Sequence, residues 1–217
     1  MSQRYGGMRT GSELKGMDTD ISFNPVIAST TTNGNTTTLN LIQSGTGSWN
    51  RVGRKVTLKS LRVKGVASCF HFLDAGSDIL GNTIRIMVVW DRQPAGATEP
   101  LFSDIFGVTS QAGTETQTYF SPPKYDTMDR FRVLKDWDIN STADATPTAA
   151  NFVRNEFSID SYISLNDLET TYSGQSSPMT IADINNGALY LIARAQRQNN
   201  VITEWTVSAV CRIRYVD

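Results

Sequence analysis

Between residues 56 and 69 apolar side chains alternate with polar ones, and the alternation changes phase part-way. Val56 and Leu58 share one parity, whereas Leu61, Val63, Ala67 and Cys69 share the other. A period of two on a background of Val, Leu and Thr marks a strand rather than a helix. Its inward face can switch near Lys59 and Ser60 only through a bulge or bend, or with both faces partly covered. A long bent strand of this kind suits a barrel-like sandwich better than a flat sheet.

The same period recurs along the chain. Leu39 and Leu41 alternate with polar neighbours, residues 83–90 form a nearly continuous apolar run broken by Arg85, and residues 131–137 and 188–194 read as strands. In residues 151–164, Val153, Phe157, Ile159 and Ile163 share one face. Residues 203–216 alternate most cleanly, with Trp205, Val207, Ala209, Cys211, Ile213 and Tyr215 on one side and Arg212 and Arg214 on the other. Residues 100–107 suit one or two helical turns, and residues 165–186 read as a long polar connection. About eight strands joined by long loops, with no long helix, predict an all-β fold: an eight-stranded, two-sheet antiparallel sandwich of the jelly-roll kind. A chain of 217 residues suffices for one such domain. Residues 1–12 lack apolar periodicity and are expected to form a flexible arm ahead of a domain over 13–217.

Charge is distributed unevenly. The formal net charge is −1, yet residues 1–64 carry nine basic side chains against three acidic ones and residues 65–217 carry eleven against eighteen. Six of those nine, Arg51, Arg54, Lys55, Lys59, Arg62 and Lys64, fall in residues 50–69 with no acid among them. A split of this sort suggests one face for a polyanion and another for solvent. Arg212 and Arg214 add cations at the far end, and the planar guanidinium fork suits phosphate oxygens.

Catalytic parts are scarce. His71 is the only histidine, which excludes two-histidine mechanisms and His-rich metal sites, and its setting between Phe70 and Phe72 suits packing at a strand end. Neither Gly-x-Ser-x-Gly nor Cys-x-x-Cys occurs. Asp18 with Asp20, and Asp136 with Asp138, are read as solvated loop charges lacking the spaced acidic loop of an EF-hand. A Ca²⁺ site shared between subunits would leave no local motif. The reading is therefore a non-enzyme with no metal and no cofactor. Cys69 and Cys211 sit in apolar strand contexts and are expected as buried thiols. No signal peptide or membrane span is legible, so a soluble chain made inside the cell is expected.

Leu14-Lys15 with Asp18 three residues later, Arg51-Val-Gly-Arg-Lys-Val56, Val89-Trp-Asp-Arg-Gln-Pro94, Arg130-Phe-Arg-Val-Leu-Lys-Asp136, Gly187-Ala-Leu-Tyr-Leu-Ile192 and Arg212-Ile-Arg-Tyr215 follow one another in that order. Together they resemble the capsid proteins of small circular Rep-encoding single-stranded DNA viruses, the circovirus-like and geminivirus-like group. The resemblance implies a viral jelly roll that self-assembles, as sixty copies in a T=1 icosahedral shell, around a single-stranded DNA genome. It places the chain in the virion and offers Arg51, Arg54, Lys55, Lys59, Arg62 and Lys64 as inner-wall DNA contacts, with Arg212 and Arg214 beside them. Such proteins usually open with a dense Arg-rich arm. Here Arg4, Arg9 and Lys15 stand against Glu13, no clear basic nuclear-import signal is present, and the weight of genome contact shifts to the basic strand. Shell closure requires interfaces rich in aromatic residues, for which Trp49, Phe102, Phe106, Tyr119, Phe120 and Tyr125 are the candidates. No membrane partner is expected, and the residues identify no host receptor. The rival reading is a non-viral β-sandwich module that binds carbohydrate or protein through Trp49, Trp90, Tyr119 or Tyr172.

Overall fold

The alternating stretches become strands that pair antiparallel throughout. In a computed structural model of the chain, the described residues are 13–24, 26, 34–71, 82–94, 96, 98–109, 115–116, 118–141, 153–196 and 203–217. The arm over 1–12, the connection over 142–150 and the side chain of His71 lie outside them. The first strands are β1 (Lys15–Phe23), β2 (Asn35–Thr38), β3 (Lys55–His71) and β4 (Asn82–Asp91). After one helical turn, α1 (Phe102–Ile105), come the two-residue strands β5 (Val108–Thr109) and β6 (Glu115–Thr116). The chain then continues through β7 (Phe131–Ser141), β8 (Val153–Tyr172), β9 (Ile184–Asn186), β10 (Ala188–Ala195) and β11 (Thr203–Val216).

Two sheets face each other, a five-stranded one in the order β1-β11-β3-β8-β9 and a four-stranded one in the order β2-β10-β4-β7. The chain crosses between them repeatedly, so neighbours in a sheet are mostly distant in sequence. This is the jelly-roll arrangement, with nine sheet strands instead of eight because the three-residue β9 extends one edge. Between the sheets lies one apolar core that includes Leu58, Leu61, Ile86, Val88, Tyr190, Ile192, Trp205 and Ile213.

The phase change in β3 is a bulge. Against β11, Ser60 pairs with Arg214 and Leu58 with Tyr215, which leaves Lys59 as the extra residue. Against β8, Leu58 pairs with Leu168 and Ser60 with Ser164. The additional β8 residues include Asn166 and Asp167, both at positive φ (47° and 62°), a conformation Asn and Asp tolerate better than most residues. For this reason β8 does not stop near Ser164, as the sequence pattern suggested. Two left-handed residues interrupt the alternation, and the strand resumes through Thr170 and Tyr172. Six residues beyond the bulge the backbones of β3 and β11 come close enough that a Cβ on Gly65 would lie 2.3 Å from the Ser208 carbonyl oxygen.

Cys69 and Cys211 are free and buried, and burial pushes their thiols up to about 11 and about 12. Cys211 lies opposite Val63 on β3, while Cys69 lies on that same strand about 20 Å further along, beyond disulfide reach.

Candidate nucleic-acid face and assembly surface

From the bulge onward, β3 turns Leu61 and Val63 into the core and presents Lys59, Arg62 and Lys64 to solvent. The register carries this solvent face across the sheet. Asp18, Arg212, Arg62 and Tyr162 form one cross-strand row over β1, β11, β3 and β8, and Asp20, Val210, Lys64 and Asp160 form the next.

The acids that lie far away in sequence are therefore neighbours in space. Arg212 binds Asp18 through both carboxylate oxygens, each at 2.7 Å. Arg62 binds Asp160 in the same two-point manner at 3.2 and 3.0 Å. Lys59 meets Asp167 at 2.8 Å and Lys55 meets Glu169 at 2.7 Å. Hydrogen bonds from Arg212 and Arg62 hold the Asp18 and Asp160 carboxyls below the usual carboxylate range, so these two pairs are formed at neutral pH. The pairs are solvated and add little stability, but they cancel much of the charge concentrated in residues 50–69. Arg54, Lys64 and Arg214 are exposed and form no ion pair with a described residue.

Arg51 departs from the expected role altogether. Only 1% of it is exposed. Its Nε donates to the Ile42 carbonyl at 3.0 Å, Nη1 to Gly53 at 2.7 Å and Nη2 to Gly174 at 2.5 Å, and the guanidinium lies 4.3 Å from the centroid of the Tyr172 ring. With its donors directed at carbonyls inside the subunit, Arg51 is a strut of the fold and offers nothing to a phosphate. Neighbouring residues gave no sign of this, because Gly174 and Tyr172 arrive from the far side of the chain. Asp18 and Asp136 are also strand residues, not loop charges: Asp136 is paired to Arg85 at 2.6 Å. Among the described residues no group of three or more His, Cys, Asp or Glu side chains converges on a metal-sized site.

The six interface candidates separate by burial. Phe102 and Phe106 are fully buried and stack at 4.7 Å between centroids. Arg194 lies 4.4 Å from the Phe102 centroid and Arg85 lies 4.8 Å from that of Phe106. Arg85 also donates to the Tyr119 and Ser121 carbonyls at 2.9 and 2.8 Å, which folds the 118–121 turn inward and leaves Tyr119 buried. These three belong to the subunit's own packing. Trp49, Phe120 and Tyr125 are instead 62%, 70% and 94% exposed. Leu101, Val108 and Met128 are exposed as well, on the same connection between β4 and β7 that carries Phe120 and Tyr125.

Trp49 lies apart from that group. It lines a shallow concavity of about 560 Å³ with Leu14, Lys15, Gly16, Asp18, Arg212 and Arg214, at one end of the solvent face. Of the four aromatics that a carbohydrate- or protein-binding module would use, Trp90, Tyr119 and Tyr172 are buried, so that reading keeps only Trp49. Sequence reasoning passed over Tyr162. Its parity with Ser158 and Asp160, opposite Ile159 and Ile163, marked it as a solvent-facing aromatic.

Compared with known families, the chain matches the model of the geminivirus coat protein/nuclear export factor BR1 family over residues 14–216. No curated protein matches it.

Proposed function

The chain belongs to the geminivirus coat protein/nuclear export factor BR1 family, and from that membership we propose that it is the coat subunit that closes a small T=1 icosahedral shell of sixty copies around a single-stranded DNA genome. The observation that carries the assembly reading is the group of exposed apolar side chains on the β4–β7 connection. Leu101, Val108, Phe120, Tyr125 and Met128 are all exposed on a sandwich whose core is otherwise closed. Clustered apolar exposure of this kind marks a contact surface. A second copy of the chain is the occupant that a coat protein supplies.

Uniform closed particles in electron micrographs of the purified protein support the coat reading. Monomers or dimers that persist at high concentration overturn it, and they would favour the family's other named role, nuclear export.

In this reading the solvent face of the five-stranded sheet is the inner wall, and its contacts to phosphate are narrower than the count of cations suggests. Arg54, Lys64 and Arg214 carry them, with Lys55, Lys59, Arg62 and Arg212 engaged by acids of the same face. Each phosphate neutralised on a single strand contributes about −0.7 to the slope of log affinity against log salt. Replacing both Lys64 and Arg214 by Gln is expected to flatten the slope by about 1.4, read from fluorescence anisotropy with an oligonucleotide at several salt concentrations. An unchanged slope removes these residues from the interface.

A further inference from the structure

The solvent face of the five-stranded sheet holds two flat aromatic side chains that the fold itself does not use. Tyr162 is 71% exposed in the interior of the twenty-residue strand β8, among exposed Ser158, Asp160 and Ser164. Trp49 stands at the other side of the face, on a turn fixed by three hydrogen bonds. Asn50 N–H donates to the Gly47 carbonyl, Gly45 N–H to that of Arg51, and the Lys15 ammonium to that of Asn50, at 2.9, 3.0 and 3.1 Å.

We propose that this face is a stacking platform for unpaired nucleobases, with Tyr162 and Trp49 taking bases and Arg214 and Lys64 taking the phosphates between them. The proposal rests on the coat reading only for the identity of the strand as genome. Exposed aromatics on a sheet, flanked by cations, bind single strands without sequence preference because every base has a π-face.

The ion pairs that weaken this face as a phosphate clamp suit it to stacking. The Arg62 and Arg212 guanidiniums are each held edge-on by a carboxylate through two hydrogen bonds. Each occupied edge leaves a planar cationic surface free to lie against a base or a ring. In the register, Arg62 and Arg212 occupy the two strands between Tyr162 and the edge strand β1 beside the Trp49 concavity. Three inter-strand spacings, about 14 Å, separate β8 from β1, room for a short run of nucleotides. A duplex keeps its base faces stacked internally and cannot use such a platform.

The test uses the full chain and three labelled 20-mers: oligo-dT, an abasic strand carrying the same phosphates, and a duplex. Binding to oligo-dT about tenfold or more tighter than to the abasic strand is expected, with the duplex no better than the abasic strand. Tyr162→Ala and Trp49→Ala should each lower oligo-dT affinity several-fold while leaving abasic binding and the thermal midpoint unchanged, and Tyr162→Phe should retain wild-type affinity. Equal binding of dT and abasic strands, or alanine variants that bind dT as wild type does, overturns the proposal. Micrographs of the same protein keep the two readings separable. Closed shells without a preference for bases reject the platform alone, and a base preference without shells rejects the coat reading alone.

Discussion

Arg51→Met is expected to unfold the subunit, not merely to loosen its hold on nucleic acid. Three carbonyls accept from this guanidinium, that of Ile42 buried and those of Gly53 and Gly174 partly so. Methionine fills much of the volume but donates nothing. Leaving the buried Ile42 acceptor unmet costs about 1–3 kcal/mol, with less for the two carbonyls that water can reach, and the lost cation–π contact with Tyr172 adds about 1–2 kcal/mol. Relaxation recovers part of this, so a net loss of about 3–5 kcal/mol is expected, comparable to breaking a buried ionic contact. For a domain of ordinary stability that is a large fraction of the whole.

The effect should reach beyond the Arg51 turn, because the guanidinium joins two separate parts of the chain. One is the 42–53 segment, where Arg51 N–H also donates to Gln43 at 2.9 Å. The other is the segment after β8, which Asp183 organises by accepting from Ser176 at 2.6 Å and from the Thr180 N–H at 2.8 Å. Denaturant unfolding of the unassembled subunit measures the loss. Arg54→Gln, three residues along on an exposed side chain, should change stability by less than about 0.5 kcal/mol and instead lower affinity for the oligonucleotide. If Arg51→Met keeps wild-type stability and loses only nucleic-acid binding, the strut assignment is wrong.

Legibility in the sequence followed the range of the interactions. The bulge at Lys59 could be read because alternation is local: a phase change between Leu58 and Leu61 leaves one residue that must be extra. The same local rule identified the inward faces of β8 and β11; applied two residues past Asp160 it would have marked Tyr162 as outward, which was overlooked. Everything that depended on partners brought in by topology was hidden. Asp18, Asp160, Asp167 and Glu169 neutralise Arg212, Arg62, Lys59 and Lys55, although none of these pairs is close in sequence. A cluster of cations in one stretch therefore looked like a basic surface when its counter-charges sat on the adjoining strands. The long connections concealed more, since aromatic residues outside strands can plug a core or face a neighbour with the same composition. Phe102 and Phe106 do the first, held beneath Arg194 and Arg85, while Phe120 and Tyr125 remain outside.

That division leads to the second large effect. Phe106→Ala removes a fully buried ring stacked on Phe102 and should cost about 3–5 kcal/mol of subunit stability, so particles are lost because folded subunits are lost. The double variant Phe120→Ala with Tyr125→Ala removes rings that are mostly in water in the isolated subunit. Its denaturant midpoint should therefore stay near wild type, with a change below about 0.5 kcal/mol per site. If a second copy covers these rings, truncation costs about 2 kcal/mol or more at an interface centre. Every 1.4 kcal/mol raises the concentration needed for a contact about tenfold. In the proposed closed shell each subunit repeats the contact, so the double variant should yield folded subunits and no particles at concentrations where the parent assembles fully. Sedimentation and electron microscopy at matched concentrations read the particles, and denaturant titration reads the fold. Normal particles from the double variant would move the interface elsewhere on the subunit. Trp49→Ala separates the surfaces further: on the proposed nucleic-acid face beside Arg214, it should assemble as the parent does and bind oligo-dT several-fold more weakly.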